Sequence, residues 1–153
     1  MQAMNVHVIF VAPFFLETTL RFVAGAVRLP GVRLSLISQD AVDKLPPDLQ
    51  RQLAAHWRVD DALDAHQLVK AAKALARKLG PPVRMLGALE QLQVPLAEAR
   101  DALGIEGLNG RAAMNFRDKA RMKDVLNAAG VPCARHALAH NPQQAGAFAD
   151  LVG

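Results

Sequence analysis

The sequence is poor in cysteine and lacks a long hydrophobic run. Cys133 is the one cysteine, which excludes a disulfide framework and an all-cysteine metal site within one chain. The longest apolar run, Val8 to Leu16, is interrupted by Pro13 and is shorter than the roughly 20 residues that a bilayer requires. No Lys or Arg precedes this run, so it does not resemble a secretory signal. We therefore expect a cytoplasmic protein that does not associate with membranes.

Several motifs of well-known enzyme classes are also missing. The chain contains neither a GxGxxG nor a GxxxxGK[ST] sequence, which disfavours dinucleotide oxidoreductases and P-loop enzymes. The five histidines have no metal-ligand spacing, and no nucleophile elbow is present. Cys133 has no evident partner base, so the sequence favours an unreactive buried thiol over a nucleophile.

The charge balance is mildly basic. With 18 Lys and Arg against 14 Asp and Glu, the net charge is +4, which suits an anionic ligand without identifying one. The basic excess is small and no aromatic series could stack successive bases, so we expect no nucleic-acid partner. A hydrophobic fraction of 52% is typical of a folded domain.

Strand-like and helix-like segments alternate along the first two thirds of the chain. The predicted strands cover 5–12, 32–37, 57–59 and 83–86, and the predicted helices cover 17–29, 48–55, 64–79 and 95–103. Asp48 and Asp64 are the expected N-caps of two of these helices. This order predicts an α/β fold, a Rossmann-like parallel sheet with helices on both faces.

A glycine-rich stretch, 104–110, separates this part from the rest. We place a boundary there, which gives predicted domains over 1–107 and 108–153. Beyond it the pattern predicts one long helix over 112–129, a strand over 133–139 and a last helix that opens at Asn141-Pro142.

The carboxyl ends of the predicted parallel strands are the place to look for ligand contacts. Phe14, Glu17 and Thr18 follow the first strand and are candidates for substrate binding. Alternatively, Phe14 and Phe15 fill the edge of the core and Thr18 caps the helix. Glu90 follows the fourth strand, where its carboxylate either contacts a substrate or caps the next helix.

The predicted long helix carries an unusual stripe. Its second half has an apolar face that includes Met122, Val125, Leu126 and Ala129, and one or two turns earlier the same stripe carries Asn115, Asp118 and Lys119. Together with Arg117, Arg121 and Lys123, Lys119 forms either an anion site or a solvated basic face.

At this helix the sequence resembles a known family. The run from Asn115 to Pro132 is similar to the segment that opens the nucleotide-binding region of ATP-grasp enzymes, in which Asp-Lys precedes a Lys-containing helix and Ala-Gly-Val-Pro. The biotin carboxylase and amino-acid ligase branch looks nearest. That branch has a Gly-x-Leu-x-Glu stretch after the last strand, and Gly87 to Glu90 departs from it by one residue of spacing. In order of elements the resemblance extends over 5–153.

The resemblance implies a pre-ATP-grasp domain followed by the start of an ATP-grasp domain. It implies a ligase that uses ATP and magnesium to phosphorylate a small-molecule carboxylate, with the acyl phosphate then attacked by an amine or a related nucleophile. Lys119 matches the lysine that reaches the ATP phosphates in relatives. Relatives continue into a second nucleotide lysine, a glycine-rich lid, the adenine hinge and the magnesium carboxylates, so we expect an N-terminal fragment that is inactive alone.

A non-catalytic module of the same ancestry, binding a ligand or a partner, is the alternative. Either would be compatible with a homo-oligomer.

Overall fold

The computed structural model describes residues 5–153, which divide into two compact units. The N-terminal unit runs up to Ala113, and the C-terminal unit spans Met114–Gly153. The domain assignment predicted from the sequence, 1–107 and 108–153, stays a prediction. No helix in the described part of the chain is long and apolar enough to cross a membrane.

The N-terminal unit is built on a four-stranded parallel sheet with strand order β3-β2-β1-β4. Its strands are β1 (Val6–Val11), β2 (Val32–Ser38), β3 (Ala55–Arg58) and β4 (Pro82–Leu86). Its helices are α1 (Glu17–Val27), α2 (Pro47–Gln52), α3 (Ala65–Leu79) and α4 (Gln93–Leu103). Helix α5 (Gly110–Arg117) follows α4. The alternation of strand and helix predicted from the sequence is confirmed.

The sheet has a hydrophobic core on each face. Alternate residues of β1 point to opposite sides, as the period of a strand requires: Ile9 and Val11 to one core, Val8 and Phe10 to the other. Helices α3 and α4 cover the first core, and α1 and α2 cover the second. Most residues of the central strands β1 and β2 are buried because helices cover both faces, as expected for the middle of a parallel sheet, whereas the edge strands β3 and β4 are more exposed.

The helix caps were predicted with mixed success. Asp64 is the N-cap of α3, and its carboxylate accepts a hydrogen bond from the His66 amide at 2.8 Å. The prediction that Asp48 caps α2 is wrong, because Pro46 holds the cap position and Asp48 lies inside the first turn. Thr18 does not cap α1 either, since the N-cap is Leu16, which forms no side-chain cap bond.

The long helix predicted over 112–129 is two helices in the structure. Helix α5 ends at Arg117, and α6 (Lys119–Ala128) begins after Asp118, whose backbone is extended. The Asp118 carboxylate accepts a hydrogen bond from the Arg121 amide at 3.0 Å and thereby caps α6. Asp stabilises helix starts better than helix interiors, which explains the break. The proposed stripe therefore does not run along a single helix.

The prediction of a strand over 133–139 is also wrong. Backbone groups in a strand need a neighbouring strand, and residues 114–153 contain none. Side chains of α6 hold this segment instead, with Cys133 Sγ 3.0 Å from Asn127 Oδ1 and His136 Nε2 3.0 Å from Asp124 Oδ1. Helix α7 (Pro142–Val152) begins where it was predicted to open, and the Asn141 side chain caps it by accepting a hydrogen bond from the Gln144 amide.

Candidate functional site

The carboxyl ends of β1 and β4 mark the point where the winding of the sheet reverses. Helices α1 and α2 lie on one face, and α3 leads back across the other face to β4. Ligands of open α/β sheets bind in the crevice at such a switch point. Phe14 follows β1 and Glu90 follows β4, so these two predicted residues lie in the connections after neighbouring strands. Phe15 packs against the α1–α2 core, whereas Phe14 is 49% exposed.

Gly87, directly after β4, makes the close approach at this switch point possible. A Cβ atom on Gly87 would lie 2.6 Å from Leu96 Cδ1 and 3.2 Å from the carbonyl oxygen of Val11. The chain then turns, and Gln93 Nε2 donates to the carbonyl oxygens of Gly87 at 3.2 Å and Leu89 at 3.1 Å. Glu90 begins a single 3-10 turn, Glu90–Leu92, and is exposed.

A polar network follows β2 at the same edge of the sheet. The Asp40 carboxylate accepts hydrogen bonds from the Phe15 amide at 2.9 Å and from Lys44 Nζ at 2.7 Å. These donors, Lys44 first, lower the pKa of Asp40, and the positive charge of Arg58 adds to the effect. The anionic form of Asp40 thus holds the loop that carries Phe14.

A buried serine and a histidine extend this network toward β3. The Ser38 hydroxyl donates to the Asp40 carbonyl oxygen at 2.6 Å and lies 2.6 Å from His56 Nε2. Because the hydroxyl proton is used, His56 Nε2 is the donor in the second bond. Burial lowers the pKa of His56, and the charge of Arg58 lowers it further, so the imidazole is held neutral.

Sequence reasoning missed Ser38, Asp40 and His56. The signal was a Ser-Gln-Asp run directly after a buried strand, where parallel strands deliver polar side chains to the ligand-binding edge.

Glu17 has a different setting from Phe14. It is the first residue of α1 and forms an exposed ion pair with Arg21. Together with Leu20, Ala24 and Leu49 it lines a cavity of about 350 Å³ between α1 and α2. A substrate contact for Glu17, as for Phe14 and Glu90, stays a prediction.

In the C-terminal unit, Lys119 is the first residue of α6 and is exposed. A helix N-terminus carries partial positive charge, so a cation there destabilises the helix and a bound anion stabilises it. The Arg121 side chain is engaged, because its Nε donates to Asn115 Oδ1 at 2.7 Å. Lys119 makes no ion pair within the described chain, which leaves its ammonium group available to an anion. Its role as a phosphate ligand stays a prediction.

Two solved structures have this fold. Phosphoribosylglycinamide synthetase from Anaerococcus prevotii superposes on 97% of the chain with a TM-score of 0.64 and 17% identity. L-amino acid ligase from Bacillus licheniformis superposes on 90% with a TM-score of 0.66 and 14% identity. The chain therefore has the fold of the N-terminal domain of ATP-grasp ligases, as the sequence predicted.

A curated relative agrees with this assignment. The chain is 35% identical over 103 residues, 66% of its length, to phosphoribosylamine–glycine ligase from Caulobacter vibrioides. It spans 23% of the length of that ligase, and 35% and 36% of the two solved chains. No protein-family profile matches the chain.

Proposed function

We propose that the chain forms the Rossmann-like N-terminal domain, and the first helices of the nucleotide-binding domain, of an ATP-dependent ligase. The ligase joins a small-molecule carboxylate to an amine or a related nucleophile. The similarity to phosphoribosylamine–glycine ligase carries this proposal. It is supported by the run from Asn115 to Pro132, whose Asp118 caps α6 and leaves Lys119 at the start of the helix.

The proposed chemistry has two steps. A carboxylate oxygen attacks the γ-phosphorus of ATP, the bond to the bridging oxygen breaks, and ADP leaves. The nucleophile then attacks the acyl carbon, loses its proton and displaces inorganic phosphate. Lys119 lowers the energy of the first step by placing a positive charge next to the phosphoryl oxygens.

Magnesium enters this proposal only as the companion of ATP. Residues 5–153 contain no group of three or more His, Cys, Asp or Glu side chains that could hold a metal ion. No residue of the described chain is therefore assigned to magnesium. A cytoplasmic location, a homo-oligomer and the inactivity of the isolated chain stay predictions.

The test of Lys119 compares two lysines on one helix. In the ligase, we expect Lys119→Ala to reduce turnover about 10²–10³-fold, the usual cost of about 2.7–4 kcal/mol for one oriented charge in a transition state. Lys123→Ala is the matched control on α6 and should change turnover little, as removal of a solvated charge does. The ATP dependence of ADP release measures both variants.

A second measurement uses the 153-residue chain itself. Addition of ATP with magnesium should shift the amide NMR signals of residues 117–121, and Lys119→Ala should remove the shift. If the two lysine variants lose turnover equally and mildly, the basic cluster is a solvated face and the phosphate role of Lys119 is wrong. ATP binding at residues 117–121 that is not accompanied by turnover even when the rest of the predicted nucleotide-binding domain is supplied would favour the non-catalytic module.

A further inference from the structure

A second cavity of the N-terminal unit has no role in the proposed ligase chemistry. It measures about 410 Å³ and lies between the edge strand β3 and helix α3. Trp57, Val69 and Ala74 supply its apolar lining, and Lys70, Lys73 and Arg77 supply its charge. The volume falls in the range typical of small-molecule sites, roughly 300–1,000 Å³.

The three cations of this cavity share one face of α3. They are spaced by three and four residues, which places their side chains above one another along the helix. Helix α3 contains no Asp or Glu, and within the described chain none of the three cations forms an ion pair. Arg21, Lys44, Arg51 and Arg84 of the same unit are paired with carboxylates, whereas Arg28, Arg58 and Lys78, like the cavity cations, form no ion pair among the described residues.

All three cations lie on the exposed side of α3, opposite its buried apolar face. Arg77 lies in the last turn of α3, where a positive charge stabilises the negative end of the helix. Lys70 and Lys73 lie in the middle of the helix, where this benefit is absent. Three unpaired positive charges around one cavity repel one another, and a bound anion would remove that repulsion.

Trp57 gives the cavity a flat aromatic wall. Its indole is half-buried because it packs against the α3–α4 core, which fixes the ring in place. Within residues 5–153 the indole N–H donates no hydrogen bond. A fixed ring beside cations suits a ligand with its own planar ring, since stacking on an indole tolerates any base.

We propose that this cavity binds a nucleoside phosphate, with the base on Trp57 and the phosphate between Lys70, Lys73 and Arg77. Ammonium and guanidinium groups are the usual protein ligands of phosphate. This site is separate in sequence from Lys119 and does not depend on the proposed ligase reaction.

Trp57 is the one tryptophan of the chain, so its fluorescence reports on this cavity directly. We expect AMP to quench the fluorescence of the 153-residue chain to saturation. Adenosine, which lacks the phosphate, and ribose 5-phosphate, which lacks the base, should each bind at least about tenfold more weakly, equivalent to about 1.4 kcal/mol. Isothermal titration calorimetry with AMP should give the same affinity and also measures Trp57→Leu, which should bind more weakly.

Charge variants separate a built site from a general basic surface. Lys70→Gln with Lys73→Gln should weaken AMP binding at least about tenfold. Lys78→Gln is the matched control, because Lys78 is exposed on α3 and does not line the cavity. Lys119→Ala should leave the quenching unchanged, so loss of the proposed ATP site and loss of this site give different results.

Three outcomes would overturn the proposal. One is the absence of both saturable quenching and binding heat with AMP. Another is equal affinity for ribose 5-phosphate and AMP, which would remove the role of Trp57. The third is equal weakening by Lys78→Gln and by the double variant, which would reduce the cavity to a solvated basic face.

Discussion

The N-terminal unit buries side chains on both faces of its sheet, whereas no residue between Met114 and Gly153 is fully buried. In the C-terminal unit, local hydrogen bonds take the place of a core. Asp118 and Asn141 cap its helices, and the Arg135 guanidinium donates to the carbonyl oxygens of Leu151 at 3.3 Å and Val152 at 3.1 Å. Large apolar side chains stay exposed, including Phe116 at 64% and Leu151 at 71%.

The difference separates two sources of structure. Burial of apolar area supplies most of the free energy that opposes chain entropy, and it is available only to the N-terminal unit. Caps and side-chain bonds select a geometry but contribute little net stability to helices of 10 and 11 residues, which are marginal in water. The two units should therefore respond very differently to the same perturbation.

Hydrogen exchange should reveal the largest contrast. We expect amides of β1 and β2 to exchange at least about 10³-fold more slowly than those of α6, because only the strands require global unfolding to open. Mass spectrometry of peptic peptides measures both regions in one experiment. Equal protection would break the comparison and would mean that the C-terminal unit is covered. Protection that rises with protein concentration would identify a second copy of the chain as the cover.

A pair of identical substitutions sharpens the contrast at the level of single side chains. Leu36 is fully buried in β2, and Leu36→Ala should lower the free energy of unfolding by about 2–5 kcal/mol. Leu126 is half-buried in α6, and Leu126→Ala should change it by no more than about 0.5 kcal/mol. Urea denaturation followed by Trp57 fluorescence reports the N-terminal unit, and helical circular dichroism in the same titration reports α6 as well. A loss above 2 kcal/mol for Leu126→Ala would contradict the absence of a core there.

The two aspartate caps allow a smaller, chemically matched test. Asp64 caps α3 and Asp118 caps α6 through the same kind of carboxylate-to-amide bond. Asp64→Ala should cost about 0.5–2 kcal/mol in the unfolding free energy, because α3 packs on the sheet. Asp118→Ala should reduce helical circular dichroism without moving the urea midpoint. A shift of the midpoint by Asp118→Ala would show that the two units unfold together.

Acid should destabilise the N-terminal unit through His7. This histidine is buried in β1, with Nδ1 2.8 Å from the Gly80 carbonyl oxygen and Nε2 2.7 Å from Ser35 Oγ. Burial lowers its pKa below 6.5, so the unfolded chain binds a proton that the folded chain excludes. The free energy of unfolding should thus fall as the pH drops below about 6.5 toward the folded pKa.

Urea titrations at a series of pH values measure this slope. His56, whose pKa is also lowered by burial, contributes in the same direction. His7→Gln should flatten the slope, while His140→Gln, in the C-terminal unit, should leave it unchanged. An unchanged slope in His7→Gln would exclude His7 as its source.

The spacing of apolar residues predicted the strands and helices of the N-terminal unit well. Each of these elements buries one or both faces in a core, and burial is what requires that spacing. A strand such as Val6–Val11 must be apolar on both sides when two helical layers cover it, and the sequence displays that directly. In the C-terminal unit no core imposes a pattern, so the apolar residues of α6 suggested one long helix. Asp118 could have been recognised as a cap from its type alone.

The candidate site was harder to predict for a different reason. Phe14 and Glu90 were predicted from their positions after strands, a rule that needs only the order of elements. The network of Ser38, Asp40 and His56 depends on which strands are neighbours and on the directions of side chains. Neither can be predicted from a short stretch of sequence. The basic cavity on α3 could not be predicted without knowing that Trp57 lies on the edge strand beside this helix.

Gly87 has a consequence for how this chain can vary. A new Cβ atom there would meet three atoms of two kinds: the side-chain ends of Leu96 and Leu92 can shift, but the Val11 carbonyl oxygen belongs to a central strand and cannot. In a library of all single substitutions, position 87 should therefore accept almost nothing but glycine. Gly25 and Gly146, which have no atom within 4 Å of the added Cβ, should accept alanine freely.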